Sequence, residues 1–304
     1  MRFFSLPMSG ASPVAGSVGV PPSTLLLSAV LSAAFSGVCL GGCAPPPVFD
    51  DDIGVEAIPI APGEAAGTFA LKTLNTTLVK TPFGDEAGGG TNYRLVKRIY
   101  NVEEEVYEQT STLCGGFNVA VLGVTTDLPE STYRAVPPST AERVTIDDAG
   151  VYNQTDHLQL WGLRDLPDPF ETPLPADKDE AQQEPHSDRI YDMDDDDNDG
   201  VTSIVTGAVT GEVYVVQRKT VTTSGVILGP DRAIGLAINT NELVQLGNSN
   251  PVIFDRQSEG SSGPHPDPKR SWFEEVRIDD DSDCDFVMQA EAEGILSVLA
   301  PFPD

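Results

Sequence analysis

From Thr68 onward the side chains alternate with the two-residue period of extended backbone, and that period limits the fold more than any other feature. "TFALKTLNTTLV" (68–79) sets Phe69 and Leu71 against Ala70 and Lys72, then runs into β-branched Thr and Val. In "NYRLVKRIYNVEEEVYEQTSTL" (92–113), Tyr93, Leu95, Lys97 and Ile99 oppose Arg94, Val96, Arg98 and Tyr100. That stretch is long for one strand, and Glu103, Glu104 and Glu105 mark a bend or turn. A helix over 101–110 is the alternative, disfavoured by the Val, Tyr and Thr on both flanks. "GFNVAVLGVTT" (116–126) and "HLQLWGLR" (157–164) read as short strands. The clearest hairpin is 201–225, where two Val/Thr/Ile-rich runs meet at Thr210-Gly211. Residues 233–247 and 271–278 continue the pattern, and 285–296 fits a strand or a short helix. Helical segments of about 10–15 residues do not alternate with these strands, which excludes a doubly wound α/β fold. The expectation is one all-β domain, an antiparallel β-barrel or a β-sandwich with long acidic loops. The hairpin-rich order favours an up-and-down barrel.

Charge excludes one large class of partner. The 304 residues hold 47 acids and 18 bases, a net charge of -29. Such an excess repels phosphate backbones, so nucleic acid is not a partner. Residues 165–200 alone hold 14 acids against Lys178 and Arg189, a net -12 that cannot bury itself. A second loop, 255–270, is made of turn formers. Loops of this length within a compact domain are usually functional or disordered.

The N-terminal region carries a different signal. Thr24–Gly42, "TLLLSAVLSAAFSGVCLGG", is uncharged and apolar, short for a membrane span, and ends in small residues. Leu40-Gly41-Gly42-Cys43 resembles the lipobox of bacterial lipoproteins. The resemblance implies a diacylglyceryl group on the Cys43 thiol and cleavage just before Cys43. Two acyl signals then suffice for stable anchoring. Ala44 stands where an Asp would retain an enterobacterial lipoprotein at the inner membrane, which points to the outer membrane. The Pro-rich, acidic stretch 44–67 reads as a tether. The division expected is therefore a leader (1–42), a tether (43–67) and a β-rich domain (68–304). Cys39 leaves with the leader, and in an oxidising compartment the isolated Cys114 and Cys284 are expected to form a disulfide.

Candidate chemistry is sparse. "DMDDDDNDG" (192–200) offers Asp195, Asp197 and Asp199 at alternate positions before Gly200, with the Val201 carbonyl and Asp192 and Asp194 as further oxygens for Ca²⁺. The register is not that of an EF-hand, because Thr206 stands where a bidentate Glu would close the loop. It looks more like the DxDxDG loops of thrombospondin type 3 repeats. A solvated acidic turn is an equal reading. His157, His186 and His265 lie far apart with no HxxxH or HExxH spacing, and no GxSxG elbow is present.

"LQLWGLRD", "DGVTSIVTGAVTGEVYVVQR", "SNPVIFDR" and "PHPDPKRSWFEEVRI" followed by "DC" resemble lipoproteins that recur in myxobacterial genomes, a resemblance that implies no reaction. The function expected is that of a lipid-anchored envelope protein, not an enzyme, whose β-domain binds a small molecule or a protein partner, with structural calcium. A hydrolase acting on envelope material is the second reading. A wide apolar mouth would favour the binder, and a cleft with converging carboxylates and a histidine would favour the hydrolase.

Overall fold

The computed structural model describes residues 56–81, 84–118, 120–253 and 262–297. The expected leader, Cys43 and most of the tether lie outside these residues, as does much of the 255–270 loop.

Eleven strands form one sheet: β1 (Gly67–Thr81), β2 (Gly84–Asn101), β3 (Val106–Asn118), β4 (Val124–Asp127), β5 (Glu142–Ile146), β6 (Val151–Trp161), β7 (Val201–Gly207), β8 (Gly211–Ile227), β9 (Arg232–Asn248), β10 (Ser262–Pro264) and β11 (Trp272–Ile278). Eight of them close a ring in the order β1, β2, β3, β5, β6, β8, β9, β11 and back to β1. Every neighbouring pair is antiparallel, and the order around the ring follows the order along the chain. Closure pairs the backbone groups that an open sheet would leave bare at its edges. The all-β expectation holds, and the up-and-down order matches the hairpin-rich sequence.

Two short strands raise one side of the ring. β6 pairs with β8 as far as Trp161↔Gln217, and beyond that point β7 takes over from Val201↔Val215. β4 then pairs with β7, and Asn118 at the end of β3 donates to the Thr126 carbonyl of β4. The chain between β6 and β7 is the acidic loop. Gly162 and Gly200 bring its two ends together, both at positive φ; a Cβ on Gly162 would stand 2.5 Å from the Gly200 Cα.

The Glu103–Glu105 stretch is the β2–β3 turn: Asn101 Oδ1 accepts from the Glu103 and Glu104 amides, and Glu105 has φ of 56°. Two sequence expectations need correction. Residues 116–126 are not one strand, because a tight turn at Val121–Val124, with Gly123 at φ of 73°, separates β3 from β4. β6 begins at Val151, six residues before the segment expected from 157. For residues 285–296 the short helix, one of the two readings the sequence left open, is the one formed. Asp283 caps the helix by accepting from the Phe286 amide. The described helices are α1 (Glu130–Ala135), α2 (Lys178–Ala181) and α3 (Cys284–Ala292). Cys114 and Cys284 form the expected disulfide, with Cα atoms 4.9 Å apart. It ties β3 to α3 rather than to a late strand.

Packing divides the molecule by height. At the end where β1 begins, Phe69, Val96, Tyr107, Val144, Tyr152 and Phe273 belong to one apolar cluster. At the opposite end Trp161, Leu113 and Val215 pack with Tyr133 of α1. Between them the ring interior is polar.

Candidate functional site

The strand period places Arg94, Val96 and Arg98 on one face of β2, and that face is buried, at 4%, 0% and 2% exposure. Ile99 on the other face is 63% exposed. Two buried guanidinium groups therefore need partners inside the ring, and neighbouring strands provide them. Arg94 donates to Gln159 Oε1 at 2.7 Å, to Ser111 Oγ at 3.4 Å and to His157 Nε2. His157 Nδ1 in turn donates to Glu142 Oε1, and Gln154 donates to Glu142 Oε2 at 2.5 Å.

Burial, helped by the Arg94 charge, pushes the His157 imidazole down to about 4, so it is neutral near pH 7. A neutral imidazole has one donor and one acceptor, which the Glu142 and Arg94 contacts use in full. Burial works against the charge of Glu142, but His157, Ser139 and Arg94 outweigh it and hold the carboxyl below its ordinary range. Burial likewise draws Arg94 down to about 10, against the pull of Glu142. This histidine bridges an arginine and a glutamate and has no free nitrogen for catalysis.

A second buried pair lies below. Arg98 Nη2 meets Glu275 Oε2 at 2.6 Å, and Gln109 Oε1 accepts from Arg98 Nε and Nη2 at 2.9 and 2.8 Å. The guanidinium sits 4.8 Å from the Phe69 ring centroid. Burial disfavours its charge, yet Glu275 prevails and raises the Arg98 pKa.

Above the Arg94 network stands Lys219 of β8, 9% exposed and without a hydrogen bond or ion pair among the described residues. Burial and the neighbouring Arg94 push its amine down to about 7. Lys219 also lines a cavity of about 260 Å³ at this end of the ring. Asn75, Asn92, Asn118, Gln217, Asn239 and Asn241 supply much of the wall, with Val79, Val124 and Leu243 between them. Among the described residues the lining holds no Asp or Glu, and Lys219 is its only charged residue. Tyr133 of α1 meets Trp161 edge-on, with centroids 6.4 Å apart at 78°, and both rings belong to the wall. Asn239 donates to Asn75 Oδ1 at 3.0 Å, while Asn75 Nδ2 and Trp161 Nε1 are buried without an acceptor. The wall is thus polar rather than the apolar mouth that would have favoured a binder, and Lys219 is the one charge among its described residues.

The acidic loop groups its carboxylates one register away from the alternation read in the sequence. Oxygens of Asp192, Asp194 and Asp196 lie within 4.8 Å of one another. Asp195, Asp197 and Asp199 are exposed and stand outside that group, with Asp195 and Asp197 at φ of 61° and 68°. Val201 is buried in β7, paired with Val215. Asp192 accepts from the Asp196 and Asp197 amides at 3.2 and 2.8 Å. Asp194 Oδ2 accepts from the Thr202 amide at 3.0 Å and from Thr132 Oγ1 of α1 at 2.5 Å, while its Oδ1 is buried and unpaired. Through Thr132 the loop is fastened to the helix that carries Tyr133 to the cavity.

Lys219, Arg94, Glu142 and the role of His157 were missed at the sequence level. The available signal was polarity on both faces of β2 and β6, where a half-solvated sheet would show it on one.

No family model and no curated protein matches the chain. Among solved structures it is similar to DynF from the dynemicin biosynthesis pathway of Micromonospora chersina, at 12% identity over 78% of this chain and 91% of that one. The TM-score is 0.27, a likeness too loose to carry an argument.

Proposed function

We propose that this is a lipid-anchored protein of a bacterial envelope, held at the outer membrane through Cys43, whose ring of strands binds a small polar molecule. One observation carries the binding claim. In a chain with 47 acids, a cavity of about 260 Å³ has no acid among the described residues of its lining and reaches buried donors that lack acceptors. Buried polar groups are ordinarily paired, and an unpaired one costs about 1–3 kcal/mol, so a ligand that pairs them gains what the empty protein forgoes. A hydrolase reading draws less support, because Glu142 and His157 are committed to each other, to Gln154 and to Arg94.

Protein-observed NMR with a library of small polar fragments tests the binding. Shift changes should cluster at Asn75, Trp161, Lys219 and Asn239. Binding only elsewhere, or none, rules the reading out. Lipidation has its own test: Cys43→Ala should accumulate unprocessed, unacylated precursor, and acylation that survives the change would exclude Cys43 as the anchor.

Structural calcium in the acidic loop belongs to the same proposal, supported by the Asp192, Asp194 and Asp196 grouping and the unpaired Asp194 oxygen. Calcium should raise the melting temperature and magnesium should raise it far less, compared at fixed ionic strength. Equal shifts with both ions would mean charge screening alone.

A further inference from the structure

We propose that the cavity takes a hydroxylated carboxylic acid of about sugar-acid size, with the Lys219 ammonium holding its carboxylate. This rests on the ligand-binding reading above and narrows it to a chemical class. The unmatched groups share one sign. Lys219, Asn75 Nδ2 and Trp161 Nε1 are all donors, so the missing partner must bring acceptors.

Charge narrows the choice further. An ammonium taken out of water without a counterion is expensive, and among the described residues no acid pairs with this one. Its lining neighbours are neutral. The nearby Glu142 is spent on His157 and Gln154, and Glu275 on Arg98. Arg94 adds a second positive charge close by. The interior thus lacks one negative charge beside Lys219, and a carboxylate supplies it while accepting charge-assisted hydrogen bonds.

The other walls describe the rest of the ligand. Asn92, Asn118, Gln217 and Asn241 offer donors and acceptors together, which suits hydroxyl groups that do both. A volume of about 260 Å³ equals that of roughly nine waters at about 30 Å³ each, room for a molecule on the order of ten non-hydrogen atoms. A hexuronate is of that order. The depressed Lys219 pKa agrees with an amine awaiting its counterion, since an arriving carboxylate restores the charge that burial and Arg94 disfavour.

Isothermal titration of the full chain with glucuronate and with its neutral amide, glucuronamide, at matched ionic strength, decides the matter. Glucuronate should bind at least about tenfold more tightly. Lys219→Met should abolish the difference. Methionine keeps the apolar stem and removes a buried unpaired amine; should that variant still misfold, the wild-type comparison of the two ligands stands alone. Equal binding of both compounds overturns the anion assignment and leaves the cavity reading intact. If neither binds while polar fragments do map to the cavity, the sugar-acid inference alone fails. If no fragment maps there either, both fail.

Discussion

Two regions of this molecule are rich in ionisable groups, and they handle charge in opposite ways. Residues 165–200 concentrate 14 acids, most of them in solvent, where the field of each is screened and small rearrangements relieve repulsion. The ring interior holds far fewer charges, Arg94, Arg98, Glu142, Glu275 and Lys219, and water reaches almost none of them. Inside, each charge except Lys219 has a named partner on another strand. An acidic composition therefore says little about what such a protein holds. A single ammonium without a paired acid among the described residues says much more.

Single substitutions should separate the two regions sharply. Arg98→Met leaves the fully buried Glu275 carboxylate without its partner, and denaturant unfolding should show a loss of about 3–5 kcal/mol. A loss below about 1 kcal/mol would mean that water enters the interior and that the contrast is overdrawn. Next in size is the disulfide. Cys114→Ser with Cys284→Ser frees two residues 170 apart in sequence and should cost about 2–5 kcal/mol by the same measurement. Unchanged stability would mean that α3 holds to β3 by packing alone.

The pH dependence is a smaller and more specific effect. Lys219 has a folded pKa near 7 against an ordinary 10.5, so between these values the unfolded chain binds the extra proton and stability rises with pH. Between about pH 7 and 9 the slope should approach but not exceed about 1.4 kcal/mol per pH unit, and it should vanish in Lys219→Met. Arg94, His157 and Glu142 face the same space; His157 and Glu142 do not change charge in that window, while Arg94, drawn down to about 10, adds a rise of the same sign at its upper end. On the acid side His157 acts in the same direction: the unfolded chain protonates first between about 6.5 and 4, so stability falls as pH drops through that range. The smallest effect belongs to the loop. Asp197→Asn, in calcium-free buffer, should move stability by no more than about 0.5 kcal/mol. A larger change would show that the exposed acids do more than hydrate.

The same contrast explains what could be read from the sequence. Alternation marked β1, β8, β9 and β11 because β-branched and aromatic residues recur there at every second position. It could not say which face of β2 turns inward. A polar interior reverses the usual rule, burying Arg94 and Arg98 and leaving Ile99 in solvent. β5 and α1, of five and six residues, are too short for a period to show. The helical end of 285–296 is fixed by the Asp283 cap and the disulfide rather than by a strong amphipathic pattern. The disulfide was legible because Cys114 and Cys284 are the only cysteines after Cys43. The cavity was not, since its walls come from residues spread between 75 and 243 that meet only when the ring closes.

A lysine ¹³C NMR titration of the unliganded protein tests the central claim most directly, and six lysines in the chain make assignment practical. Lys219 should titrate near 7, well apart from the solvent-exposed lysines, and should move upward when glucuronate is added. A Lys219 amine that titrates at the ordinary lysine value in the empty protein would show that it is already solvated or paired, and would contradict the unpaired, ligand-seeking interior described here.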